Sequence, residues 1–228
     1  MKINSRWPRF FISIFFVVSF LDVAAIFFSN TPWQTISKPL IIPALMACYI
    51  TGSKSWNKLY VLALFFSFTG DVLLMDKNNL FLFGIASFLL TQLLYVFIVA
   101  KQLVKSDRRT VIAAILPFLI FFLTLIAVLK PGLGDFFVPV LVYGLAISVF
   151  GVVVFINYLQ NKDKPAIRLL AGALLFIASD SMIALNKFYE ERAFYGVSVM
   201  ITYILAQYLI YTYMIRLKVP VQVLSDNS

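Results

Sequence analysis

Apolar runs, each near the ~20 residues a membrane-spanning helix needs, follow one another along the whole chain and are broken only by short polar clusters. The pattern predicts helices over about 10–29, 34–51, 58–75, 79–101, 110–129, 136–158, 166–186 and 194–216. The breaks are turn or charge clusters: Asn30-Thr31-Pro32, Gly52-Ser53-Lys54, Asp76 to Asn79, Lys105 to Arg109, Lys130-Pro131-Gly132 and Gln160 to Lys164. None of the runs carries the polar stripe that a helix at a water-facing surface keeps. A soluble all-helical protein with a large core is therefore a poor description. Composition agrees, since 62% of the 228 residues are hydrophobic and 13% are charged, where a soluble domain is about a quarter charged. The expectation is an all-α, polytopic membrane bundle of about eight transmembrane helices, forming a single membrane-embedded domain over residues 1–228.

The polar residues between the runs orient that bundle. Of the 19 lysines and arginines, Lys38, Lys77, Lys130, Lys187 and Arg192 fall on one side and the remaining 14 on the other. The positive-inside rule then places both termini in the cytoplasm of a bacterial plasma membrane. Residues 1–9 become a cytoplasmic N-terminal segment, and residues 218–228 a disordered cytoplasmic tail. The first apolar run follows basic residues, as in a signal peptide, but is too long for one and is expected to be a retained helix. The net charge of +9 is spread over short loops, which suits membrane topology and not a nucleic-acid surface.

Histidine is absent and the one cysteine, Cys48, lies in an apolar run. A Ser-His-Asp triad, a Cys-His pair, a His-ligated zinc and an internal disulfide are thereby excluded. Any chemistry must use carboxylates, hydroxyls, amides and lysines, with no cofactor or metal expected.

Two aspartates interrupt the hydrocarbon pattern. Asp71 follows Thr69-Gly70, and Asp180 follows Ala178-Ser179; each is succeeded one helix later by a mid-span glutamine and a tyrosine, in Gln92-Leu-Leu-Tyr95 and Gln207-Tyr208-Leu-Ile-Tyr211. The recurrence suggests a parallel duplication of four plus four helices. An ionised group in a bilayer costs about 2.5–3.5 kcal/mol on insertion scales, so each aspartate needs a partner or a purpose. A structural acceptor for a lysine or tyrosine is the plain reading of one such residue; two in register point to a site. Lys38 lies at the same level, where it either snorkels to the interface or meets an anionic headgroup. Asp22, at similar depth, is expected to pair with Lys38. Gln92, Tyr143, Asn186, Tyr203 and Gln207 are expected to face the interior as substrate-binding or interhelical polar groups. Together these residues outline a polar cavity open toward the outer side.

Gly172-Ala-Leu-Leu-Phe-Ile-Ala-Ser-Asp180 with Ile183-Ala-Leu-Asn-Lys-Phe188 resembles the signature of the YhhN-like, or lysoplasmalogenase, family of membrane proteins. Phe68-Thr-Gly-Asp71, Phe83-Gly84, Gln92 to Tyr95, Lys38-Pro39-Leu40 and Tyr203 to Gln207 are similar to other segments of that family, and the likeness spans about 38–211. Gln92 stands where some relatives carry histidine. The resemblance implies cleavage of the vinyl ether bond of a lysoplasmalogen, a lysophospholipid, to a fatty aldehyde and glycerophospho-ethanolamine or -choline. Such cleavage needs an acid to protonate the alkene and a second carboxylate for the cation or the water, a demand related to that met by glycosidases. Asp71 and Asp180 are the pair available, with either able to be the acid. Competing readings are a lipid or small-solute transporter and an intramembrane aspartyl protease. The latter's Gly-x-Gly-Asp motif is broken here, because Phe68 occupies the first glycine position.

Overall fold

The computed structural model describes residues 6–76 and 79–217. The expected disordered tail at 218–228 and the start of the cytoplasmic N-terminal segment lie outside the described residues. Among those described, the chain is all α: α1 (Arg6–Phe27), α2 (Thr31–Gly52), α3 (Lys58–Leu73), α4 (Phe81–Ala100), α5 (Arg108–Leu133), a 3₁₀ turn (Gly134–Phe136), α6 (Phe137–Asn161), α7 (Lys164–Phe188) and α8 (Ala193–Met214).

Side-chain placement is inverted relative to a soluble protein. Phe20, Phe28, Val138 and Val104 are among the large apolar residues on the outside, whereas Asp22, Asp71, Thr91, Gln92, Asn157, Asp180 and Gln207 are buried. Lipid is the solvent this surface suits. Six helical stretches have the length and hydropathy to cross a membrane, against the eight expected. α3 has only 16 residues, or about 24 Å at 1.5 Å per residue, short of a ~30 Å hydrocarbon core. Arg108–Asn161, 54 residues, counts as one such stretch although it holds both α5 and α6, which turn back on each other at the 3₁₀ turn. The molecule is thus a multi-pass membrane protein.

The reversal between α5 and α6 falls later than the Lys130-Pro131-Gly132 cluster predicts. Pro131 removes one backbone donor in the last turns of α5 but does not turn the chain. Gly134, with φ of +47°, does. Gly132 instead serves a close approach, since a Cβ there would lie 1.9 Å from the carbonyl oxygen of Phe188 at the end of α7.

Helix starts are set by side-chain caps, which satisfy the backbone N–H groups that a first turn leaves unpaired. The Asn57 side chain accepts from the backbone N–H of Leu59 at 2.9 Å. Asp163 accepts from Ala166 at 2.8 Å, and together with Pro165 it starts α7 earlier than the hydropathy pattern predicts. Helices pair as hairpins α1–α2, α3–α4, α5–α6 and α7–α8, and α4 on α6, α6 on α7 and α1 on α8 join them. At the centre, the rings of Phe88, Phe176 and Tyr203 meet edge to face at 5.7–6.1 Å, an arrangement favoured by ring quadrupoles.

Asp107 caps α5 through the backbone N–H groups of Arg109 and Thr110. The Thr110 hydroxyl, and then the Thr110 backbone, hold its carboxyl below the usual carboxylate range. A depressed folded-state value means the cap contributes stability above the ordinary aspartate value near 4 and loses it as pH falls. We expect Asp107→Ala, and acidification of the unchanged chain below about pH 4, to lower the amide-exchange protection of the first turn of α5. Unchanged protection in both cases would show that another group holds that turn.

Candidate functional site

Four helices bring the two aspartates into one region. α3 carries Asp71 near its C-terminal end and α7 carries Asp180 in its C-terminal third; they are 4% and 8% exposed. Each meets a tyrosine from another helix. Tyr203 on α8 donates its hydroxyl to Asp71 Oδ2 at 2.7 Å, and Tyr143 on α6 donates to Asp180 Oδ2. Asp71 is part of the electrostatic surroundings of Asp180, as its weakest contribution.

Around Asp71 the hydrogen bonds continue. Gln207 Nε2 donates to the Tyr203 hydroxyl at 3.3 Å and to Ser67 Oγ at 3.0 Å. Tyr95 donates to Gln207 Oε1 at 2.9 Å. Ser67 donates to Thr91 Oγ1 at 3.4 Å, and Thr91 donates to the carbonyl of Ala63 at 3.1 Å. Because Tyr203 accepts from Gln207, its own proton points at Asp71. A Cβ on Gly70 would lie 2.7 Å from the Phe88 ring, so glycine beside Asp71 lets α3 press against α4 at this level.

Asp180 has a different setting. It and Tyr143 lie in the wall of a cavity of about 40 Å³ whose other walls include Leu74, Ile85, Phe88 and Ile183. Gln92, fully buried on α4, faces Asp180 and Tyr143, yet neither atom of its amide closes a hydrogen bond of ordinary geometry. Phe81 and Phe188 also line the cavity, and Lys187 Nζ sits 4.4 Å above the Phe81 ring. A cation therefore stands beside the cavity, with the ring face favouring it there.

Lys38 is half-buried and attracts both Asp22 and Asp71 electrostatically. The expected Asp22–Lys38 salt bridge is absent. No ion pair within 4 Å joins these two, and Asp22 instead accepts from Ser37 Oγ at 2.8 Å. Ser37 is the buried residue on this turn of α2, and the next position along a helix turns Lys38 away by about 100°. Asn186 is not brought to the pair either; its Oδ1 accepts from the backbone N–H of Arg192 at 3.0 Å, tying the α7–α8 connection.

Ser67, Thr91 and Ser37 are the polar residues that the hydropathy pattern passes over. Helical spacing holds a signal for two of them, since Ser67–Asp71 and Thr91–Tyr95, like Tyr203–Gln207, are polar pairs four residues apart on apolar helices. Among the described residues no group of three or more histidine, cysteine, aspartate or glutamate side chains is gathered to hold a metal ion. The region can hold and transfer protons beside an apolar slot.

The family model of the YhhN family matches residues 33–214, and the chain belongs to that family. The matched region contains both aspartates, their tyrosines, Lys38 and the Gln207 network, and leaves out α1 with Asp22. No curated protein and no solved structure matches the chain.

Gln207 joins α3, α4 and α8. Gln207→Leu leaves Ser67, Tyr95 and Tyr203 short of partners in a buried setting, and we expect a loss of about 1–3 kcal/mol, read as a lower unfolding midpoint in detergent. Combined with Tyr95→Phe, the two losses should fall short of adding. Full additivity would show that these residues do not form one network.

Proposed function

We propose that this chain is a lysoplasmalogenase-type hydrolase that cleaves the vinyl ether of a lysophospholipid by carboxylate acid–base catalysis. The YhhN family includes lysoplasmalogenases. The observation that carries the reading is the pair of buried carboxyls, each hydrogen-bonded by a tyrosine hydroxyl, with one of them in the wall of an apolar cavity.

A vinyl ether has a nucleophilic outer alkene carbon. In this reading Asp180, which borders the cavity, transfers its proton to that carbon, and the positive charge falls on the carbon bonded to oxygen as an oxocarbenium ion. Asp71 is the second carboxylate, which stabilises the cation electrostatically. Water then bonds to the cationic carbon, giving up a proton to a carboxylate. The hemiacetal collapses as its C–O bond to glycerol breaks, the glycerol oxygen takes a proton, and the aldehyde leaves. Low dielectric strengthens each of these charge interactions, and burial favours the neutral form of a carboxylic acid, which the proton donor must be. The vinyl ether end of the chain enters the small apolar cavity, Gln92 offers its amide to the water or ether oxygen, and Lys38 and Lys187 attract the phosphate.

The same proposal includes eight spanning helices in two parallel sets of four, both termini in the cytoplasm and a cavity reached from the outer leaflet. The recurrence of an aspartate in the C-terminal part of α3 and of α7, each followed one helix later by a glutamine, supports the duplication. The uneven placement of basic residues supports the orientation.

Purified protein is expected to release aldehyde from a lysoplasmalogen and none from the saturated-ether analogue, which has no alkene to protonate. Asp180→Asn should lower kcat by about 10²–10⁴-fold, and the rate should fall as pH rises through titration of the acid. Lys38→Met should raise KM more than it lowers kcat. No aldehyde from a folded protein, with lipid or solute flux dependent on Asp180, would replace this reading with transport.

A further inference from the structure

The apolar cavity that borders Asp180 ends in a cluster of aromatic rings. Phe81 opens α4, Phe136 ends the 3₁₀ turn and Phe188 closes α7, so three separate segments deliver one ring each to the same level. Phe81 and Phe188 line the cavity, and Phe136 touches both. Ring centroids are 5.8 Å apart for Phe81–Phe136, 5.7 Å for Phe81–Phe188 and 5.5 Å for Phe136–Phe188. Asp180 lies behind them, about 12 Å along α7 from Phe188 at 1.5 Å per residue. Lys187 is exposed at this end of the bundle. Its Nζ is 4.4, 5.7 and 6.0 Å from the centroids of Phe81, Phe136 and Phe188, so one cation is shared by all three rings.

The rings are not held equally. Phe81 is buried on its helix, and Phe188 is backed by α5, because Gly132 allows the close approach to its carbonyl oxygen described above. Phe136 is half-buried on a turn that starts at Gly134, with φ of +47°, and its neighbours Asp135 and Phe137 are exposed. Among the described residues, a Cβ on Gly134 would meet nothing within 4 Å. Phe136 is therefore the ring that can move without dragging a helix.

From this arrangement we infer that Phe81, Phe136 and Phe188 form a gate to the cavity, closed in this structure, which Lys187 holds shut and which opens when Phe136 swings out on the 3₁₀ turn. Three apolar rings keep water from the carboxyl behind them, as hydrophobic constrictions do in channels. A cation over the ring faces favours the closed arrangement. An apolar ligand end that displaces Phe136 replaces the ring contacts it breaks, and water does not. The gate thus admits an amphiphile and excludes solvent. The inference concerns access to the cavity and stands apart from the hydrolytic reading.

The test needs no turnover. Val140 lines the cavity, is 8% exposed and lies one helical turn deeper than Phe136. Val140→Cys is the reporter, and its modification by a small, neutral, water-soluble methanethiosulfonate is timed on the purified full chain in nanodiscs. The chain without the reporter gives the background from buried Cys48. Glu191→Cys, at an exposed position away from the rings, is the control for reagent access. Val140→Cys should react much more slowly than Glu191→Cys. Phe136→Ala should speed the reporter by about tenfold or more, the effect of losing two aromatic pairs on an opening equilibrium, and leave the control unchanged. Lys187→Gln should speed it about twofold or more. Losing a cation by itself makes thiolate scarcer and slows the reaction, so that acceleration reports opening. If Phe136→Ala fails to fold, Lys187→Gln at its exposed position carries the test. A reporter as fast as the control in the unaltered gate, or one that neither variant accelerates, would overturn the assignment and place the entrance elsewhere.

Discussion

A carboxyl group carried into hydrocarbon must find its hydrogen-bond donor within the protein, because lipid offers none. That constraint organises this bundle. Asp71 is bonded by Tyr203, whose hydroxyl is oriented by Gln207, which in turn holds Ser67 and Tyr95. One chain of hydrogen bonds thereby joins α3, α4 and α8. Asp180 with Tyr143 joins α7 to α6, and Asp22 with Ser37 joins α1 to α2. Apolar packing alone gives little preference between neighbours in a bilayer, since lipid tails are as apolar as leucine. The polar pairs supply the selectivity.

In the proposed reading, the same pairs that hold the helices also make the chemical site. Asp71 is enclosed by its network, while Asp180 borders the apolar cavity with Tyr143 and faces the Gln92 amide, which closes no hydrogen bond of ordinary geometry. Two carboxyls in unlike surroundings are what an acid–base division of labour requires. Gly70 and the Phe88, Phe176 and Tyr203 rings set the spacing at this level, since a side chain on Gly70 would strike Phe88.

Much of this was legible before any coordinates. Helix positions follow from the hydropathy pattern because each run is long and each break is marked by residues that turn the chain. Asp71 and Asp180 announce themselves because a charge in an apolar run has few innocent explanations. Partnership is harder to read. Asp22 takes the hydroxyl of Ser37 and not the charge of Lys38, since one step along a helix turns a side chain by about 100° and the hydropathy pattern does not record the face. Asn186 looks like its interior neighbours but spends its oxygen on the Arg192 backbone. The reversal at Gly134 was hidden by a proline and a glycine just before it.

The central claim is that Asp71 and Asp180 act as one unit, and a double-variant cycle on hydrolysis addresses it most directly. Asp71→Asn, Asp180→Asn and the double variant are compared by kcat on a lysoplasmalogen, with near-native unfolding midpoints confirming that each is folded. If the carboxyls share one task, each single change removes most of kcat and the double variant is little worse than either. Losses that multiply in the double variant would mean two independent residues, and would contradict the account.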